Sequence, residues 1–124
     1  INNPEIEVPI AKPAPWCTEQ VFHIFPILVG DSQVERQELM DYMQEQGSQV
    51  GIHYPICIEE TGAYGDIGTK QHNPRTRRNA DRLVSLPIHP FMSNEDCLKV
   101  VSILNNWKSE KKKHEDLAHR AQRV

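Results

Sequence analysis

Cysteine is scarce in this chain: Cys17, Cys57 and Cys97 stand forty residues apart, with no C-x-x-C pair among them. An odd count without paired spacing argues against a disulfide framework and against a zinc site, and fits a reducing compartment, so a cytoplasmic location is expected. Excess positive charge is lacking too. The formal net charge is −3 and aromatic residues make up 6% of the sequence, which supplies neither an electrostatic field nor a stacking platform for nucleic acid. Long apolar runs are missing as well. The longest, from Val21 to Val29, is broken by His23 and Pro26 and is too short to span a bilayer, so no membrane partner is expected. The first fifteen residues do not resemble a signal peptide, because Glu5, Glu7 and four prolines stand where a basic and then an apolar stretch would be needed.

What is present bounds a single small unit. At 124 residues, with 38% hydrophobic and 25% charged residues and a mean hydropathy of −0.60, the chain can build one modest, polar domain or part of a larger one.

Prolines 4, 9, 13 and 15 remove backbone donors and favour extended neighbours, so residues 1–20 read as an extended linker into a domain. Val21–Val29 is rich in β-branched and aromatic residues and stops at Gly30-Asp31, which predicts a strand with Pro26 at an edge or bulge. The Ser32-x-x-Glu35 spacing predicts a capping box, followed by a helix carrying Leu39, Met40, Tyr42 and Met43 and ending at Gly47. Gln49–Pro55 reads as a short returning strand and Ile56–Pro74, with Gly62, Gly65 and Gly68, as a long loop. A short helix over Arg75–Arg82 leads to a strand at Leu83–Ile88. Ser93 then caps a helix whose expected apolar face is Cys97, Val100, Val101, Leu104 and Trp107. Beyond it, Lys108–Val124 is a charged, helical tail with a weak stripe at Leu117, Ala118, Ala121 and Val124. The order of elements predicts an α+β fold: a small, mainly antiparallel sheet covered on one face by helices.

Four blocks in this frame carry a resemblance. Val21-Phe22-His23-Ile24-Phe25, Arg36–Met43 leading to Gln46-Gly47, Val50-Gly51-Ile52-His53-Tyr54-Pro55, and Leu83-Val84-Ser85-Leu86-Pro87-Ile88-His89-Pro90 occur in the order and spacing of one family. In them the chain resembles the C-terminal region of the DegT/DnrJ/StrS-type sugar aminotransferases, fold-type-I pyridoxal-phosphate enzymes. The G-I-H-Y-P and S-L-P-I-H-P blocks are the specific ones. The resemblance covers roughly Pro4 to Trp107, the last third of a typical member, and implies that 21–107 is the C-terminal small domain, joined through the linker to an N-terminal large domain.

It further implies transfer of an amino group from glutamate to a keto sugar, usually nucleotide-linked, by homodimers in which pyridoxal phosphate is bound to a lysine of the large domain. The family sets that lysine in an S-F-x-x-x-K pattern, and none of Lys12, Lys70, Lys99, Lys108, Lys111, Lys112 or Lys113 has such a context. Its cofactor-orienting aspartate lies in E-D-A-A-Q. Here Glu95-Asp96-Cys97 follows Ser93 at a helix start, where acids serve the helix dipole, so Asp96 is not given that role. No catalytic, cofactor-binding or metal residue is therefore assigned to this chain, and by itself it is expected to bind no cofactor and to be inactive.

Substrate contact is implied for His53 and Tyr54, at a strand end opening into the long loop. Where family members often continue P-x-x-x-H-L, Cys57-Ile58-Glu59-Glu60-Thr61 stands instead. His23 and His89 are expected to be structural, Cys57 an inert thiol, and the basic run Lys70, His72, Arg75, Arg77, Arg78 and Arg82 a solvated helix face. The alternative reading is a non-catalytic remnant of the same fold, acting as a binding or interaction module.

Overall fold

A computed structural model describes residues 1–10, 14–65 and 73–121 of the chain. Lys12, Gly68, Lys70, His72 and Val124 lie outside the described residues, as does the side chain of Ala121. The elements run β1 (Ile6–Glu7), β2 (Phe25–Val29), α1 (Gln33–Glu45), a 3-10 turn (Ile58–Glu60), α2 (Pro74–Arg82), β3 (Leu83–Leu86), α3 (Asn94–Asn106) and α4 (Glu110–Ala121). The strands form an antiparallel sheet in the order β1-β2-β3, so the expected α+β fold with a small antiparallel sheet is the fold observed.

Strand alternation divides the work of the sheet. In the β2–β3 ladder Phe25 faces Leu86 and Ile27 faces Val84, while Pro26 faces Ser85 and Leu28 faces Leu83. The first two pairs enter the core with Val29 and Ile6, against Leu39 and Met43 of α1, Ile103 and Leu104 of α3, and Trp107. Ile27, Val29, Val84, Leu39, Met43 and Leu104 are fully buried. The other two pairs lie on the opposite face, where Ser85 is nonetheless buried.

Helix α1 ends as its sequence predicts. Gly47 takes φ +76, and Ser48 N–H reaches Met43 O at 2.8 Å while Gly47 N–H reaches Gln44 O at 2.9 Å, the paired bonds of a Schellman terminus. Its start differs from the predicted capping box. The Ser32 side chain caps no backbone N–H. Glu35 Oε2 instead accepts from Asp31 N–H at 2.7 Å and from the Ser32 hydroxyl at 3.0 Å.

Three further expectations are corrected. Ile6–Glu7, inside the presumed linker, pair with Val29 and Leu28 as an edge strand, because two residues between prolines suffice for a ladder that needs no N–H from either proline. Gln49–Pro55 forms no strand and touches β3 through one bridge, Gly51 to Ser85. The buried face of α3 is turned: Cys97 is exposed and Ile103 is buried, since the helix packs through its last two turns.

A knot of polar contacts between the chain's beginning and the α3–α4 elbow holds the far side of the core. The buried Asn3 donates from Nδ2 to Leu104 O at 2.7 Å and Trp107 O at 2.8 Å, satisfying carbonyls that the end of α3 leaves free. Ser109, 1% exposed, accepts at Oγ from Lys112 N–H as the N-cap of α4 and donates its hydroxyl to the Glu5 carboxylate. Glu38 receives the next free N–H, that of Glu110, at 3.0 Å.

Two outcomes follow. Ser109→Ala should cost about 1–2 kcal/mol by loss of the cap and of the Glu5 contact. Truncation after Ser109 should leave the thermal midpoint nearly unchanged, because Leu117 is exposed and α4 is held by surface ion pairs. Thermal denaturation of both variants checks the ordering.

At α3, the Ser93 hydroxyl and backbone N–H both donate to Asp96 Oδ2, at 2.6 Å and 3.1 Å, and these bonds hold the Asp96 carboxyl below the ordinary aspartate range. The folded value lies under the unfolded one, so the contribution is complete above about pH 3.9 and is lost as pH falls through the folded value. Asp96→Asn should therefore lower the midpoint at neutral pH, and the gap from the parent should close at the acid end of a pH series.

Candidate functional site

The two specific sequence blocks meet in space. Gly51 N–H donates to Ser85 O at 3.1 Å and Ser85 N–H to Gly51 O at 2.7 Å, which brings G-I-H-Y-P to the open edge of β3. Between them lies an open groove of about 520 Å³, lined by Gly51, His53 and Tyr54 on one side and Ser85, Pro87 and Ile88 on the other, with His23 and Ile24 completing the wall.

His53 is exposed but tethered. Its Nδ1 lies 2.9 Å from Ser85 Oγ, and its ring meets that of Tyr54 edge to face at a centroid separation of 5.8 Å. Tyr54 itself is 72% exposed. Gly51 makes room for the imidazole: a Cβ there would stand 3.2 Å from His53 Cε1, tighter than an ordinary carbon contact. The groove is thus a shallow apolar trough with one fixed imidazole and one free phenol on its rim, suited to hydrogen-bonding the oxygens of a polar ligand.

His23, set aside in the sequence as structural, lines this groove. His89 turns inward on its own loop, where Nδ1 accepts from Phe91 N–H at 3.2 Å. Cys57 is buried at the head of the 3-10 turn. The basic run does not converge on the groove: Arg77 pairs with Glu60, Arg78 with Asp31, and Arg82 with Gly30 O and Glu7. Gly51 and Ser85 were missed as site residues. The signal was their membership of the two specific blocks; the pairing between them is a long-range fact that neither block states.

A second cavity of about 330 Å³ is lined by Glu5, Glu7, Glu35, Arg82 and Lys112 among others. Its glutamates and Arg82 are already engaged, in the Ser109 contact, the start of α1 and the Gly30 contact. It is a structural seam.

Pyridoxal phosphate needs a lysine, and the residues lining the groove include none. The described lysines lie on α3 and from Lys108 into α4, where Lys108 pairs with Asp116 and Lys113 with Glu110. The described residues therefore do not fit that cofactor's attachment, and the groove's donor set is that of a substrate wall.

Comparison with solved structures places this architecture among aminotransferases. S. venezuelae DesV superimposes with a TM-score of 0.72 at 26% identity over 86% of this chain and 27% of that one. A DegT/DnrJ/EryC1/StrS aminotransferase from Brucella abortus shares the fold with a TM-score of 0.66 at 22% identity, over 81% of this chain and 25% of that one. Residues 3–105 match the DegT/DnrJ/EryC1/StrS aminotransferase family, and the chain belongs to it. Among relatives, the dTDP-3-amino-3,6-dideoxy-alpha-D-galactopyranose transaminase of Aneurinibacillus thermoaerophilus is 33% identical over 86% of this chain and 27% of its own length. The dTDP-3-amino-3,4,6-trideoxy-alpha-D-glucose transaminase of Streptomyces venezuelae is 28% identical over 84% of this chain and 26% of its length. The chain thus spans about a quarter of these relatives. Among the described residues no helix is long and apolar enough to cross a membrane.

Gly51→Ala should crowd the imidazole and break its bond to Ser85 while leaving the fold nearly intact, with a stability change of less than about 1 kcal/mol. Side-chain NMR of His53 together with a melting curve checks this. Unaltered ring resonances would show that the methyl is accommodated.

Proposed function

We propose that this chain is the substrate-covering C-terminal part of a pyridoxal-phosphate-dependent aminotransferase that moves an amino group from glutamate to a nucleotide-linked keto sugar. The observation that carries this reading is the groove itself, where the two blocks most specific to the family form opposite walls and present His53 and Tyr54 to a polar ligand. Relatives named as transaminases of dTDP-linked amino sugars support the substrate class.

In this reading an N-terminal large domain supplies the lysine and the cofactor, whose chemistry when bound is to act as an electron sink for amino transfer. The present residues bind and orient the sugar and shed water from it. His53 donates or accepts at the sugar or its nucleotide, and Tyr54, free at the rim, closes on the ligand from the same side. Exposed Trp16, Val21, Phe91 and Leu98 provide apolar surface for the large domain or for the second subunit of a homodimer. The complete enzyme is assigned to the cytoplasm, in keeping with three unpaired thiols.

The test is His53→Ala in the complete enzyme. The sugar's specificity constant should fall roughly ten- to a hundredfold, the value of one hydrogen bond to a charged or strongly polar group, while the glutamate half-reaction is spared. Single-turnover measurements of each half-reaction separate the outcomes. Equal losses in both would assign His53 to the fold or the cofactor, and no loss in either would make it structural.

A further inference from the structure

Ser85 is the buried polar group of the site whose purpose the sheet does not explain. Its backbone already serves the ladder and the Gly51 bridge, its side chain is on the face away from the core, and it is 5% exposed. Among the described residues its hydroxyl has one hydrogen-bond partner, His53 Nδ1 at 2.9 Å.

A serine hydroxyl carries one proton and two lone pairs, whereas a neutral imidazole carries one N–H and one acceptor nitrogen. If Nδ1 bore the proton, Ser85 would accept it and its own hydroxyl proton would be left in a buried place without an acceptor, a cost comparable to a lost hydrogen bond. If Nδ1 is bare, the Ser85 hydroxyl donates to it and every proton of the pair is used. The second arrangement is the satisfied one.

We infer that Ser85 is the positioning residue of the substrate groove: its buried hydroxyl donates to His53 Nδ1, fixes the neutral imidazole as the Nε2–H tautomer and so presents a hydrogen-bond donor to the ligand. Nε2 has no protein partner among the described residues and belongs to a side chain that lines the groove. The ligand atom it takes is then an acceptor, an oxygen of a phosphate, a carbonyl or a sugar hydroxyl, and a ligand offering only a donor at that point is rejected. Gly51 serves the same end, since its missing Cβ lets the ring approach the strand edge closely enough for the bond.

The inference deepens the proposed function and rests on it for the ligand, but its test does not. In the 124-residue chain labelled with nitrogen-15 histidine, long-range proton–nitrogen correlation reads each ring nitrogen at a pH where His53 is neutral. Nδ1 should appear unprotonated and Nε2 protonated. In Ser85→Ala the tautomer ratio should fall roughly fivefold, the worth of one ordinary hydrogen bond, towards that of an unconstrained histidine, and Ser85→Thr, which restores a hydroxyl, should recover it. A protonated Nδ1 in the parent chain, or a parent mixture like that of free histidine, overturns the inference whether or not the variants fold. A ratio unchanged in Ser85→Ala overturns it as well. These readings stand apart from the His53→Ala kinetics: a neutral kinetic result would remove the sugar contact and leave the tautomer in place, and a wrong tautomer would remove Ser85's role and leave the contact.

Discussion

The antiparallel pairing of β2 with β3 is the constraint from which the remainder follows. Ile27 and Val84 face each other across that ladder with no exposed surface, and they are covered by Leu39, Met43 and Leu104, which have none either. Burying side chains of this size contributes about 1.5–3 kcal/mol each, so the register cannot slip by one residue without turning the whole apolar set to the wrong face. Once that register is set, strand alternation places Ser85 on the other face of the sheet. The site is therefore positioned by the core without being part of it. A rigid apolar ladder fixes a hydroxyl, the hydroxyl fixes an imidazole, and the imidazole faces a groove.

This arrangement accounts for the division between elements. The core side holds α1 and α3, each begun or ended by local chemistry that needs no partner: a Schellman terminus at Gly47 and a reciprocal Ser93–Asp96 cap. The groove side is built of segments with little regular structure, Gln49–Pro55 and Pro87–Pro90, which reach the sheet through one bridge and otherwise leave backbone and side chains available. Family membership fits that layout, since a domain that covers a substrate needs one rigid face and one polar, open one.

How much of this was legible in the sequence depended on range. The helices were readable because their signals are local: Ser93 three residues before Asp96, Gly47 directly after the last apolar turn. The strand at Leu83–Leu86 was readable because its composition is. The edge strand Ile6–Glu7 was hidden by neighbouring prolines, and the segment after α1 looked like a strand because its residues favour extension, although only Gly51 pairs. His53 and Tyr54 were legible through the resemblance. The bond from His53 to Ser85, spanning 32 residues, and the roles of Asn3 and Glu5 were not, because hydrogen bonds between distant residues leave no periodic trace in sequence.

Those last contacts carry a kinetic consequence. Asn3 and Glu5 meet Leu104, Trp107 and Ser109 across 101 to 104 residues of intervening chain, so they close a loop of almost the full polypeptide. The entropy of such a closure, which grows as about (3/2)RT ln n, is recovered only after the sheet and both covering helices have brought the ends together. The elbow is thus a latch that clicks late in folding and opens early in unfolding, and it governs how long the native state persists far more than how fast it forms.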